Sequence, residues 1–104
     1  MTVTNETMPK PIYRVLTKLT HQHRPDVALS IAVKDLVRLR LKEVSEERQV
    51  YEQKYGVDFE TFKTRFLAGL IPNSYSYEVE KDYWEWEGAV TNEAALIEMR
   101  ETLA

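Results

Sequence analysis

The chain has 104 residues, of which 43% are hydrophobic and 30% charged, with a net charge of −3 and no cysteine. These values are typical of one globular domain, and the missing cysteines exclude disulfides and thiolate metal sites. No stretch approaches the roughly 18 apolar residues of a membrane span, and MTVTNETMPKP lacks the apolar core of a secretion signal. We therefore expect a cytoplasmic protein that does not associate with a membrane.

Charge is distributed unevenly along the chain. Residues 1–42 carry a net charge of +5, residues 43–75 carry −2 and residues 76–104 carry −6. Such a division indicates two surfaces with different partners, although charges also serve simply to keep helix faces in water. We predict a single helical domain over 1–104, with a flexible tail (1–9), basic N-terminal helices (10–56) and an acidic, partner-binding C-terminal region (57–104).

Two helices are predicted in the basic region. PIYRVLTKLTHQ spaces Ile12, Val15, Leu16 and Leu19 by three and four residues, and Pro25 breaks the pattern. Asp26 to Tyr55 contains neither glycine nor proline, and it carries one apolar row: Leu29, Val33, Val37, Leu41, Val44, Tyr51 and Tyr55. The alternation in VRLRLKEV is typical of a strand, but no hairpin residues flank it. The row therefore favours one helix of about eight turns that ends at Gly56.

Two more helices are predicted in the acidic region. Asp58 can cap the first of them, Val57 and Phe62 can form a hydrophobic staple, and one face carries Phe59, Phe62, Phe66 and Leu70. The last helix starts near Ser74 or Ser76, runs to about Thr102, and has the row Val79, Tyr83, Trp86, Val90, Ala94 and Ile97. Gly88 interrupts this helix or lets another backbone approach, and the continuous row favours an unbroken helix. The fold class is thus all-α, with about four helices that include a long central one and a long acidic, aromatic C-terminal one.

No arrangement of residues indicates catalysis. His21 and His23 lie in a predicted loop with no further nitrogen or sulfur ligand nearby. The carboxylates of Glu78, Asp82 and Glu85 share a helix face but lack the histidine that metal-binding bundles add, so we expect that face to be solvated. The three glycines are isolated, which excludes a glycine-rich phosphate loop. We expect a protein that is not an enzyme and that uses no metal and no cofactor.

A basic row on the long helix is one candidate binding surface. Lys34, Arg38 and Lys42 follow one another at intervals of four, with Arg40 nearby. Such a row can track the phosphates of a nucleic acid. Its alternative is a solvated helix face, and the overall composition is not that of a strongly basic nucleic-acid binder.

The stretch YSYEVEKDYWEWEGAV, residues 75–90, is the other candidate surface. Tyr83 and Trp86 belong to the apolar row and are expected in the core. Trp84 lies about 100° from Tyr83 and 200° from Trp86 around the helix, so it needs a second covering surface, with Tyr77 as a neighbour. Exposed aromatic residues are typical interface anchors, and the acids around them would steer a basic partner. The predicted partner-binding residues are Tyr77, Glu78, Glu80, Asp82, Tyr83, Trp84, Glu85, Trp86 and Glu87.

Residues 45–90 resemble small antitoxin proteins of bacterial and archaeal toxin–antitoxin pairs. The resemblance is carried by EQKYG-x-x-FETF, residues 52–62, followed by DYWEWE, residues 82–87. It implies binding and neutralisation of a small toxin, commonly a ribonuclease, with repression of the shared operon as an accompanying role. No known DNA-binding unit is recognisable in residues 1–44, which puts transcriptional autoregulation in doubt.

We therefore predict an antitoxin-like binding protein whose acidic, aromatic helix covers the active surface of a small basic toxin. Homodimerisation along the long helix and contact with operator DNA are further candidate interactions. Two alternatives belong to other classes: a helical DNA-binding regulator that uses the basic row, and a structural subunit of a larger assembly that buries the aromatic residues against a permanent neighbour.

Overall fold

A computed structural model describes residues 8–104, which form an all-α fold. Most of the tail predicted over 1–9 lies outside the described residues. The four helices are α1 (Lys10–Thr20), α2 (Pro25–Tyr55), α3 (Phe59–Leu67) and α4 (Tyr77–Thr102). The strand-like alternation in VRLRLKEV lies within α2, so the helix prediction for this segment is confirmed.

The helix ends follow local signals in the sequence. Gly56 adopts a left-handed conformation with φ of 71° and ends α2, where its backbone N–H donates to Glu52 O at 2.7 Å. The Asp58 side chain accepts from the backbone N–H of Thr61 at 2.8 Å and caps α3. The Ser76 hydroxyl accepts from the backbone N–H of Val79 at 3.3 Å, so α4 starts at the second of the two predicted serines.

The helices form an elongated arrangement around α2. Helix α4 runs antiparallel to α2 along its C-terminal part, α1 packs against its N-terminal part, and α3 packs against α4. The molecule measures 58 × 24 × 20 Å, and its radius of gyration is 19.8 Å. A compact domain of this length would have a radius of gyration of about 13 Å. Much of the helix surface is therefore not covered by the rest of the chain.

The principal core lies at one end, where α2, α3 and α4 meet. It consists of six buried residues: Tyr51, Phe59, Phe62, Val79, Tyr83 and Trp86. The ring centroid of Trp86 lies 5.0 Å from that of Phe62 and 5.8 Å from that of Tyr51. Tyr83 and Phe66 stack at 4.5 Å. The aromatic residues of the acidic region are thus used mainly to build a core, as expected for Tyr83 and Trp86.

All four predicted apolar rows differ in detail from the structure. In α2, Val33 is 43% exposed. Helix α3 ends at Leu67, so Leu70 leaves the predicted face and is 71% exposed. In α4, Ala94 is exposed and Ala89 is buried, because the contact with α2 follows a slightly different line along the helix. In α1 only Leu16 is buried. The helical periodicity is correct in each case, but the depth of burial depends on where the neighbouring helix ends.

Gly88 lies within an unbroken α4, as the continuous row predicts. A Cβ atom added at Gly88 would meet no other atom within 4 Å. The close approach of another backbone, which would explain a glycine here, does not occur within the described residues.

We expect Gly88→Ala to raise the free energy of unfolding by about 1 kcal/mol, because alanine restricts the unfolded chain and favours a helix interior. Urea denaturation followed by circular dichroism would measure the change. Gly56→Ala is the control, and it should destabilise the protein because its φ of 71° strains any residue with a Cβ. A loss of stability in Gly88→Ala would contradict the expectation.

Candidate partner-binding surface

Helix α4 presents opposite faces to the core and to solvent over residues 77–88. Val79, Tyr83 and Trp86 face the core and are buried. The opposite side, which we call the outer face, carries Tyr77, Glu80, Lys81, Trp84, Glu87 and Gly88, which the 3.6-residue period places together. The partner-binding residues predicted from the sequence therefore do not all lie on one surface.

Trp84 and Tyr77 are the large apolar groups of the outer face. The Trp84 side chain is 65% exposed and that of Tyr77 is 81% exposed. The Trp84 ring stands edge-on to the Tyr83 ring, with centroids 5.3 Å apart and planes at 88°. This contact supports the indole from one side only. The covering surface that Trp84 was expected to need is thus not supplied by the described part of the chain.

Trp86, Tyr83 and Asp82 do not contribute to a surface, although the predicted binding segment includes them. Trp86 is fully buried, and Tyr83 and Asp82 are also buried. A partner that binds this folded form cannot contact them. The candidate surface is therefore narrower than predicted.

Asp82 forms a polar network between α4 and α2, which the sequence reasoning missed. Its Oδ2 atom accepts from Lys54 Nζ at 2.5 Å and from the Tyr55 hydroxyl at 2.6 Å. Lys54 Nζ also donates to Glu78 Oε1 at 2.9 Å. The expectation of a solvated face is wrong for Asp82, which is enclosed. Glu78 and Glu85 are exposed as expected, although Glu85 also accepts from the Tyr51 hydroxyl at 2.5 Å. Lys54 and Asp82 both lie in the two motifs that carry the antitoxin resemblance, and their opposite charges were the one sequence feature that could have indicated this contact.

The network shifts the pKa values of its members. Burial alone would raise the pKa of Asp82, but hydrogen bonds from Lys54 and Tyr55 and the charge of Lys54 lower it below its usual value. Hydrogen bonds to Asp82 and Glu78 raise the pKa of Lys54. Burial and then the hydrogen bond to Asp82 raise the pKa of Tyr55 to about 12. Burial and the contact with Glu85 likewise raise the pKa of Tyr51. The network therefore favours the ionised form of Asp82 and the protonated forms of both tyrosines.

These shifts predict a loss of stability in alkali. Tyr55 ionises near pH 10 when unfolded but near pH 12 when folded, so its contribution is complete below pH 10 and is lost as the pH rises through 12. The raised pKa values of Tyr51 and Lys54 act in the same direction. We expect the free energy of unfolding, measured with urea, to fall between pH 7 and pH 11, and to fall less in Tyr55→Phe. An equal fall in both proteins would contradict the assigned role of Tyr55.

A second polar connection lies further along the α2–α4 contact. Arg48 forms an ion pair with Glu93 of α4 at 3.0 Å and another with Glu52 of its own helix. These contacts, together with the Asp82 network, set the register of α4 on α2. They are partly buried and connect elements within the chain.

The outer face and its edges retain an excess of negative charge. Glu80 and Glu87 lie on the outer face, and Glu78 at its edge remains largely exposed although it contacts Lys54. Lys81 is the one base between residues 76 and 99, and its Nζ lies 3.7 Å from Glu85 Oε1. The outer face thus combines exposed rings with uncompensated carboxylates.

The predicted nucleic-acid residues are exposed but divided between two sides of α2. Lys34, Arg38 and Lys42 share one side, whereas Arg40 points away from Arg38 by about 160°. Arg38 lies 3.8 Å from Asp35, and Arg40 lies 2.9 Å from Glu43. Lys34 and Arg38 line a shallow depression together with Arg100 of α4. The structure thus brings three of the four predicted bases together and places Arg40 elsewhere.

Neither a metal site nor a membrane-spanning helix is found in the described part of the chain. Across residues 8–104, no three histidine, aspartate or glutamate side chains converge as a metal site would require. Over the same range, no helix combines the length and the apolar character that would be needed to cross a bilayer. Comparison of the sequence and the structure with protein-family models, curated proteins and solved structures finds no match.

Proposed function

We propose that this chain is an antitoxin-like protein that binds and neutralises a small basic protein through the outer face of α4. The observation that carries the proposal is Trp84, a large ring left 65% exposed on a helix that buries Trp86 completely. Trp and Tyr are enriched among the residues that dominate binding energy at protein interfaces. Trp84 and Tyr77 therefore supply the apolar anchor of the proposed contact.

The charge of the outer face indicates a basic partner. Glu80 and Glu87 flank Trp84 by four and three residues, so each lies beside the indole on the helix surface. Complementary charge speeds encounter and disfavours acidic competitors. A toxin that binds RNA presents a positive surface, and an acidic helix on that surface would exclude the RNA.

Gly88 fits the same proposal. It lies four residues after Trp84 on the outer face, and nothing in the chain approaches it. A glycine costs about 1 kcal/mol in a helix interior, and a partner group packed against the bare backbone beside Trp84 would account for it. The outer face is therefore proposed to present the indole and an adjacent shallow notch.

The resemblance to antitoxins supports the proposal in part. Within its two motifs, Lys54, Tyr55 and Asp82 hold α2 against α4, and Gly56 ends α2. These motif residues serve the fold. Trp84 and the neighbouring glutamates are the motif residues that remain accessible to a partner. If the partner is a ribonuclease that cleaves cellular RNA, both proteins act in the cytoplasm.

The test is co-expression of the tagged chain with the reading frame next to its gene. We expect wild type to retain a small basic protein and to suppress its RNA cleavage. Trp84→Ala should weaken the complex by about 2 kcal/mol, roughly 30-fold in Kd, without loss of helix content. Leu67→Ala, which removes an exposed apolar side chain from α3, is the matched control and should bind normally.

Different outcomes separate the proposals. Gly88→Ala should stabilise the chain yet weaken the complex, which a purely structural glycine would not do. Equal binding by wild type and Trp84→Ala would contradict the outer face of α4 as the binding surface. Absence of any partner would contradict the toxin-binding function. Salt-sensitive DNA retention, abolished by Lys34→Ala with Arg38→Ala, would then favour the DNA-binding regulator.

A further inference from the structure

Helix α2 carries a second apolar row beside its buried row. Leu29, Ala32, Leu36 and Leu39 follow one another at spacings of three, four and three, and we call these four residues the α2 seam. The seam lies about 100° around α2 from the buried row of Val37, Val44 and Tyr51. Alternating spacings of three and four are the pattern by which two helices pair in a coiled coil.

The C-terminal half of the seam, which consists of Leu36 and Leu39, is partly exposed to solvent. Leu36 is 51% exposed and Leu39 is 48% exposed. The described part of the chain thus leaves about half of each leucine accessible. A helix from outside this chain would bury both.

The charges beside the seam identify that helix as α2 of a second copy. Leu29 and Leu36 occupy the a positions of this pattern, and Ala32 and Leu39 occupy the d positions. In a parallel coiled coil, the residue just before an a position lies opposite the residue five positions later in the other helix. This rule places Asp35 opposite Arg40 of the second copy. The two charges are opposite, and the two-fold symmetry repeats the pair.

Asp35 and Arg40 can both make this contact. Both are exposed, and their ion pairs within the chain, Asp35 with Arg38 at 3.8 Å and Arg40 with Glu43 at 2.9 Å, are exposed as well. Exposed pairs contribute about 0–1 kcal/mol, so exchanging them costs little. The charges beside the seam are therefore complementary in a parallel pair of two copies.

The shape of the molecule also leaves enough surface for a dimer. Its accessible surface is 7798 Å², whereas a compact 12.2 kDa monomer would expose about 6,100 Å². A standard interface takes about 800 Å² from each partner, which is less than the difference. An interface of standard size is therefore smaller than the excess surface of the elongated chain.

We propose that this chain forms a parallel, two-fold symmetric dimer through the α2 seam. Glu43 and Glu46 occupy the next two seam positions, so the paired segment ends after Leu39. Lys54, which contacts the acidic N-terminal end of α4, lies about 22 Å from Leu39 along α2, at a rise of 1.5 Å per residue. The outer face of α4 stays accessible in each copy.

Sedimentation equilibrium over a concentration series tests the association. Wild type should approach twice the chain mass of 12.2 kDa, and Leu36→Asp with Leu39→Asp should remain at the chain mass with unchanged helix content. Leu67→Asp with Leu70→Asp places the same charges at two other exposed leucines, 69% and 71% exposed, and should dimerise. A monomeric wild type, or a dimer that survives the seam substitutions, would overturn the proposal.

Single cysteines test the orientation, because the natural chain contains none. In the parallel dimer Ala32→Cys and Leu39→Cys each face their own equivalents, so each variant should form a disulfide-linked dimer on mild oxidation. An antiparallel pair brings at most one of these positions together, since they lie about 10 Å apart along the helix. Crosslinking of only one variant would overturn the parallel arrangement. Trp84→Ala should dimerise normally, so this test is independent of partner binding.

Discussion

Trp86→Ala is expected to lower the free energy of unfolding by about 3–5 kcal/mol, the range for removing a fully buried tryptophan. Trp86 has no exposed surface, and its ring contacts rings from both other helices of the core: Tyr51 and Tyr55 of α2, and Phe59 and Phe62 of α3. Alanine would leave a cavity that rings on separate helices cannot close. For a chain with a typical total stability of about 5–15 kcal/mol, this loss is a large fraction.

Urea denaturation followed by circular dichroism would measure this loss. Trp86→Phe is the informative companion, because it keeps a ring in place and removes an indole N–H that is buried without a partner among the described residues. Losing an unsatisfied donor offsets part of the lost packing, so its cost should be well below that of alanine. Trp84→Ala is the second control and should change stability little. Equal destabilisation by Trp84→Ala and Trp86→Ala would contradict the division of α4 into a core face and an outer face.

Asp82→Ala is expected to lower the free energy of unfolding by about 2–3 kcal/mol. It removes the acceptor for both Lys54 and Tyr55 and leaves their polar atoms at a partly buried helix contact. Lys54 is itself partly exposed and keeps Glu78 as a partner, which holds the loss below that of a fully buried pair. The raised pKa of Tyr55 should also fall towards 10, which ultraviolet titration of tyrosine would detect.

Glu80→Ala is the matched control for this change. It removes the same charge from the same helix, two residues earlier, but from an exposed position, so its effect on stability should be small. The pH dependence adds a second check. The pKa of Asp82 is lowered by folding, so its contribution is present above pH 3.8 and is lost as the pH falls through the folded pKa. The difference between wild type and Asp82→Ala should therefore shrink below pH 3.8. A difference that persisted at lower pH would indicate packing and not ion pairing.

The two tryptophans show how far helical periodicity predicts burial. A spacing of two residues places Trp84 and Trp86 about 200° apart on any helix, so the sequence alone required different surroundings for them. Which of the two is buried also followed, because Trp86 continues the row of Val79 and Tyr83. The acids could not be assigned in this way, since Asp82 and Glu80 look equivalent until α2 is placed beside one of them.

The sequence by itself determined the all-α class, the two long helices and most helix ends. These depend on contacts within a few residues: the capping side chains of Asp58 and Ser76, the left-handed turn at Gly56 and the spacing of apolar residues. Only the tertiary structure decided which side of each helix is covered. It showed that Asp82 is bound by Lys54, that Leu36 and Leu39 remain open, and that Arg40 is separated from the other bases. The reason is physical: burial and ion pairing depend on the register and length of the neighbouring helix, which lies 20 or more residues away along the chain.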